Sequence, residues 1–269
     1  MILALLVALS AATAPPLDDA SIRSQLDEAQ RAGAAGRLDQ ARLMIANAIA
    51  AGASEADADR AIGNVAFDAG KFGEALAAYQ QVLTMTPKDS LILERAGISA
   101  IEIGDRKLAS ELIGRAVESP AATWRAWNAR GTLADLDGEW AQADAAYAKA
   151  AALAPDHAEV ANNRGWSLIL RGDWASAVPL FERAARTDPK NERIANNLQL
   201  AQSALAAELP RRQAGESALD WAARLNDAGV AAQLLGDRKR AIAAFTQALE
   251  ASGSWYERAA NNLEGANGR

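Results

Sequence analysis

A glycine returns every 34 residues: Gly36, Gly70, Gly104, Gly138 and Gly172 keep that interval, and Gly236 closes the series 64 residues later. A period of this length is the mark of a helical hairpin stacked many times over, because one such unit cannot bury its apolar face alone. The chain is therefore expected to form an open array of helices, with its function along a groove rather than in an enclosed pocket.

The other repeated positions follow from sterics. Ala41, Ala75, Ala109, Ala143, Ala177 and Ala241 stand five residues after the glycines, while Gly63, Gly97, Gly131, Gly165 and Gly229 stand seven before them. Small residues at these places let antiparallel helices approach closely, and the spacing predicts that alanine and glycine face each other. Four residues beyond each alanine comes a larger side chain, Ile45, Tyr79, Ile113, Tyr147, Phe181 or Phe245, predicted to wedge between neighbouring units. Pro87, Pro155 and Pro189 fall where the second helix must stop, and Asp105, Asp173 and Asp237 are placed to cap it at its start.

Taken together these residues resemble the tetratricopeptide repeat family from about residue 22 onward. The densest matches are Trp127, Gly131, Gly138, Trp140, Ala143, Tyr147, Ala150 and Pro155, then Gly165, Gly172, Trp174, Ala177, Phe181, Ala184 and Pro189. The resemblance implies an all-α fold, a right-handed superhelical solenoid of six to seven hairpins. Units are expected at 22–55, 56–89, 90–123, 124–157 and 158–191, with a broken sixth from 192 and a seventh from 222.

Half of the 269 residues are hydrophobic, ample for a helical core, and the net charge of −6 argues against nucleic acid, which demands a basic stripe. Ile2 to Leu9 followed by Ser10-Ala11-Ala12-Thr13-Ala14 reads as a secretory leader, cleaved at or before Ala14. Residues 15–21 then form an N-terminal segment, and the mature chain is expected to be periplasmic or otherwise exported, without an integral membrane span. If the leader is not functional, the chain is cytoplasmic. With no cysteine there is neither a disulfide nor a site for a lipid-modified N-terminal cysteine.

The rhythm breaks once. Glu208-Leu209-Pro210-Arg211-Arg212-Gln213-Ala214-Gly215-Glu216 has the composition of a loop, and Ser217 caps a new helix. The stretch Glu192-Arg193-Ile194-Ala195-Asn196-Asn197-Leu198 is nearly repeated by Glu257-Arg258-Ala259-Ala260-Asn261-Asn262-Leu263, as two capping helices would be. This divides the chain into a solenoid at 22–207, a linker and hinge at 208–216, and a C-terminal unit at 217–266; a single superhelix with one defective repeat is the other arrangement. Pro179, inside the second helix of the fifth unit, is expected to kink it.

Catalysis has few candidates. His157 is the single histidine and falls in a loop, cysteine nucleophiles are absent, and no phosphate loop or metal-ligand cluster is present in the sequence. No catalytic residue, metal or cofactor is assigned; an enzyme would need an unrecognised carboxylate site.

In the resembled family the first helix of each hairpin lines the concave groove through its second, fifth, sixth, ninth and twelfth positions. The fifth position holds Asn128, Asn162, Asn196 and Asn226, and Trp166 holds the ninth. Such amides can donate to and accept from the backbone of an extended polypeptide, or instead bond to neighbouring helices or water; their recurrence favours the groove. Arg60, Asn64, Arg95 and Arg125 lie near the places where chaperone-binding members hold a peptide's terminal carboxylate, although Arg95 replaces an asparagine there and Ala129 replaces the last basic residue. Asn162-Asn163-Arg164-Gly165-Trp166-Ser167-Leu168, with Asn196-Asn197-Leu198 running on to Glu208-Leu209-Pro210, is similar to the tetratricopeptide proteins of tight-adherence (Flp-type) pilus assembly. The resulting expectation is an exported, non-catalytic scaffold that binds a peptide or an envelope-assembly subunit in its groove. The alternative is a chaperone-like binder of acidic or C-terminal peptides.

Overall fold

A computed structural model describes residues 18–206, 209–252 and 256–268. The expected leader at 1–14 lies outside the described residues. Among the described residues there are fourteen helices and no strand. They group into two compact units, divided between Ala121 and Ala122.

The first unit holds α1 (Asp19–Ala34), α2 (Leu38–Ala50), α3 (Glu55–Asp68), α4 (Phe72–Met85), α5 (Ser90–Glu102) and α6 (Arg106–Val117), three successive hairpins. The second holds α7 (Trp124–Leu136), α8 (Trp140–Leu153), α9 (Ala158–Leu170), α10 (Trp174–Thr187), α11 (Glu192–Leu205), α12 (Ala218–Leu234), α13 (Arg238–Ser252) and α14 (Glu257–Asn267). Here α7 pairs with α8, α9 with α10 and α12 with α13, while α11 and α14 have no second helix of their own.

Each hairpin turn is made by local chemistry. Gly138 has φ +72°, a left-handed conformation that L side chains rarely adopt, and the reversal lets Glu139 N–H donate to Ala134 O at 2.8 Å across the helix end. Asp105, Asp173 and Asp237 cap the following helices as expected, accepting from Leu108, Ser176 and Arg240 N–H at 3.0–3.1 Å. Helices α4, α8 and α10 end at Met85, Leu153 and Thr187, each shortly before its proline. Pro179 sits on the exposed side of α10, which runs as one helix through it.

The hairpin glycines meet a different partner from the one the spacing predicts. A β-carbon on Gly63, Gly131, Gly165 or Gly229 would lie 2.5–2.8 Å from the ring of Tyr79, Tyr147, Phe181 or Phe245, and one on Gly97 would lie 2.6 Å from the side chain of Ile113. The glycine therefore makes room for the large side chain of its own hairpin, not for the alanine. That side chain is a plug within the hairpin, buried to 2 % exposure or less, whereas the expectation placed it between units. Adding a methyl group there overpacks the core. The alanines, including Ala75, Ala143 and Ala177, are wholly buried and complete the core around it.

The break in the rhythm is also filled. Ala201 and Ala204 of α11 share a core with Trp174 and Phe181 on one side and Ala231 of α12 on the other, so α11 is an internal helix of this unit. Residues 209–216, in the stretch expected to hinge, are tied to α12. Trp221 Nε1 donates to Pro210 O at 3.3 Å, Arg224 Nη2 donates to Arg211 O at 2.8 Å, and Leu209 packs with Trp221 and Leu225.

Candidate peptide-binding groove

In the second unit the fifth-position asparagines are brought into register by the hairpin stack. Asn128, Asn162 and Asn226 are buried, with exposures of 5, 2 and 2 %. Each accepts a hydrogen bond from an asparagine on the next helix of its kind. Asn163 Nδ2 donates to Asn128 Oδ1 at 3.3 Å, Asn197 Nδ2 to Asn162 Oδ1 at 2.9 Å, and Asn262 Nδ2 to Asn226 Oδ1 at 2.9 Å. The donor sides are also used: Asn128 Nδ2 reaches Glu159 Oε1 at 3.4 Å and Asn162 Nδ2 reaches Asn163 Oδ1 at 3.2 Å. A buried amide with its partners in place is costly to strip, so these three side chains clasp helix to helix. Asn196 differs: it is exposed on α11.

The sequence singled out the acceptors and overlooked the donors. The signal was present in the doublets Asn162-Asn163, Asn196-Asn197 and Asn261-Asn262. The second asparagine of each donates to the fifth-position asparagine of an earlier helix, 35 or 36 residues back.

Trp166 lies at the ninth position of α9 with 37 % of its surface exposed, and Leu136 and Leu170 are 44 and 48 % exposed at the ends of α7 and α9. A polar network joins α7, α8 and α9. Asp135 is buried; it accepts from Ser167 Oγ at 2.6 Å and from Tyr147 Oη at 2.8 Å. Burial holds the Asp135 carboxyl above the ordinary range, with the two hydroxyls acting in the opposite sense, and burial likewise pushes the Tyr147 phenol up. Arg171 closes the network. It donates to Ser167 Oγ and grips Asp144 with two bonds of 2.8 Å, which hold the Asp144 carboxyl below the usual range.

In the first unit, Arg95 Nη1 and Tyr79 Oη both donate to Asn64 Oδ1, at 2.7 and 3.0 Å. Arg95 also lies 5.4 Å over the Phe67 ring, and burial pushes the Tyr79 phenol up to about 12. Arg60 pairs with Asp89 at 2.8 Å. Asn64 and Arg95 are thus together, with Arg60 held separately by a carboxylate. Arg125, in the second unit, is exposed, with its guanidinium 4.4 Å over Trp124; the His157 ring is 3.6 Å from the same tryptophan.

One further carboxylate is perturbed. Asp227 on α12 follows Asn226, whose side chain bonds to it, and faces Arg258 and Tyr256; burial pushes its carboxyl up to about 6. Among the described residues no group of three or more histidine, aspartate or glutamate side chains is placed to hold a metal ion, and no helix is long and apolar enough to cross a membrane.

Comparison with known proteins agrees with this architecture. Sequence profiles of the tetratricopeptide repeat match residues 26–90, 137–192 and 222–254. The chain belongs to the tetratricopeptide repeat family. Its fold is similar to the crystal structure of PilW, described as a widely conserved type IV pilus biogenesis factor, at 15 % identity and TM-score 0.61 over 91 % of this chain and 100 % of that one. A tetratricopeptide protein from Parabacteroides merdae is similar at 16 % identity and TM-score 0.58, over 92 and 99 % of the two chains. A thermophilic one from Thermus thermophilus is similar at 18 % and 0.57, over 67 and 98 %. No match was found among curated proteins. The tetratricopeptide fold is that of a protein–protein interaction scaffold, and the family is generally non-catalytic.

Proposed function

We propose that this tetratricopeptide protein is an exported, non-catalytic scaffold whose groove holds a peptide or a protein subunit during envelope assembly, such as that of a pilus or secretion system. The observation that carries the groove reading is the partition of its residues. Asn128, Asn162 and Asn226 set the register of the helices, leaving Trp166, Asn196 and Arg125 exposed for a partner. An exposed indole offers apolar area at low entropic cost, and an exposed amide and guanidinium add polar contacts to a polypeptide. The pilus setting draws on the motif similarity and on the likeness of fold to PilW; export draws on the leader.

The alternative, a chaperone-like clamp for acidic or C-terminal peptides, would use Arg60, Asn64, Arg95 and Arg125. Three of these already have partners within the first unit, so a ligand carboxylate would have to displace Asp89 or Asn64.

The test is crosslinking and mass spectrometry of copurified envelope proteins, comparing the native chain with a Trp166→Ala, Asn196→Asp variant. Loss of pilus or secretion subunits from a folded variant is expected. An unchanged partner set would remove the groove reading, and retention of the native chain in the cytoplasm would remove export.

A further inference from the structure

The series of asparagine clasps has one gap. In the second unit α9 clasps α7, α11 clasps α9 and α14 clasps α12, each through the asparagine that follows the fifth position. On α12 that place holds Asp227, which as a carboxylate has no hydrogen to donate, and among the described residues no such bond joins α12 to α11. The two helices nevertheless lie side by side. Arg240, in the first turn of α13, donates to Ser203 O near the end of α11 at 3.2 Å, and Ala201 and Ala204 pack with Ala231 of α12. Since α13 starts just after α12 ends, the C-terminal ends of α11 and α12 are together and the two run in the same direction. Asn196 and Asp227 then stand alongside each other, five and four residues before the alanine contact. Asn226 bonds to Asp227 as Asn162 does to Asn163, which leaves the second Asp227 oxygen in the place of the donor that Asn163 turns to Asn128.

We infer that this gap, which rests on the groove reading above, is the subsite for a basic side chain, lysine or arginine, of the bound polypeptide. Asn196 is exposed and Asp227 half-buried, so two oxygen acceptors stand at one place with no donor between them. The cation felt by Asp227 is Arg258 of α14, which is exposed, shares a hydrogen bond with Tyr256 and forms no ion pair with Asp227. Burial outweighs it and pushes the carboxyl up to about 6, the mark of a charge short of a partner. Leu200, one turn beyond Asn196, and Val230, three residues beyond Asp227, are half-buried and add aliphatic surface on the same helix faces. A lysine or arginine meets all of these features, because its stem packs on aliphatic surface while its head donates to the amide and neutralises the carboxylate. A hydroxyl or amide side chain would donate without neutralising, and an acidic one would be repelled.

The experiment titrates two capped peptides of about ten residues, rich in alanine and serine, into the full chain at low salt and about pH 7.5, following backbone amides by NMR. One carries lysine at its centre and the other norleucine, which keeps the stem and lacks the charge. The lysine peptide is expected to shift residues 196–200 and 227–230 and to bind at least about fivefold tighter than the norleucine peptide. Asp227→Asn, an isosteric change, should cut that advantage below about twofold, and Asn196→Ala should reduce it in part; both variants are checked for native helix content. Glu264→Gln, which removes an exposed charge from α14, should leave the advantage intact. Trp166→Ala should weaken both peptides alike; if it weakens neither while the lysine preference persists, the subsite stands and the wider groove reading falls. Equal binding of the two peptides, binding of neither, a preference that survives Asp227→Asn, or shifts confined to other helices would overturn the inference.

Discussion

The two units use the same hairpin and the same plug, yet they tie successive helices differently. Where Tyr147 in the second unit donates to a buried carboxylate, Asp135, its counterpart Tyr79 in the first donates to a half-buried amide, Asn64. Where the second unit joins groove helices through amide pairs, the first uses Arg95 on Asn64 and Arg60 on Asp89. Buried amides are neutral and directional, so they fix register without depending on salt. Half-exposed arginines are screened and can exchange partners. The second unit is thus built to hold its groove helices in register, and the first to keep charged side chains near water.

Removing the acceptors should show the contrast most strongly. Asp135→Ala strands two hydroxyls in the core and should cost about 3 kcal/mol, while Asn64→Ala at the half-buried counterpart should cost about 1 kcal/mol; chemical denaturation of each variant measures both. Next in size, Asn162→Ala leaves Asn197 without its acceptor and should cost about 2 kcal/mol, independent of salt. Arg95→Ala should cost less.

Asp227 supplies a prediction with a sign. Its folded-state carboxyl is raised to about 6, so its contribution to stability is fully present below the ordinary carboxylate range and is lost as pH rises through about 6. Asp227→Asn removes that loss. Above pH 7 the variant should be more stable by about 1 kcal/mol, solvent screening at this partly exposed site limiting the gain, and the advantage should shrink between pH 6 and 4. Thermal unfolding across that range measures it. The smallest effect belongs to Arg60→Ala, which should cost about 0.5 kcal/mol at low salt and nothing measurable at 1 M salt.

The fold was legible because the features that specify it are local and periodic. Turn glycines, aspartate caps and prolines act within a few residues, and the 34-residue interval multiplies the signal. The candidate site was legible only in part. Fifth-position asparagines were visible as a series, but whether an amide faces a ligand or a neighbour depends on the rotation of adjacent helices. That rotation brings residue 163 to 128 and not to 129. For the same reason Gly131 was assigned to Ala143 when its neighbour is Tyr147, four residues further along the facing helix.

The most direct test of the account compares side-chain amide hydrogen exchange at Asn128, Asn162 and Asn226 with that at Asn196, by NMR of the free protein. If the first three are interhelical clasps and the fourth is left for a partner, the clasped amides should be protected for minutes or longer while Asn196 exchanges at once. Equal, rapid exchange at all four would contradict the partition on which the groove assignment rests.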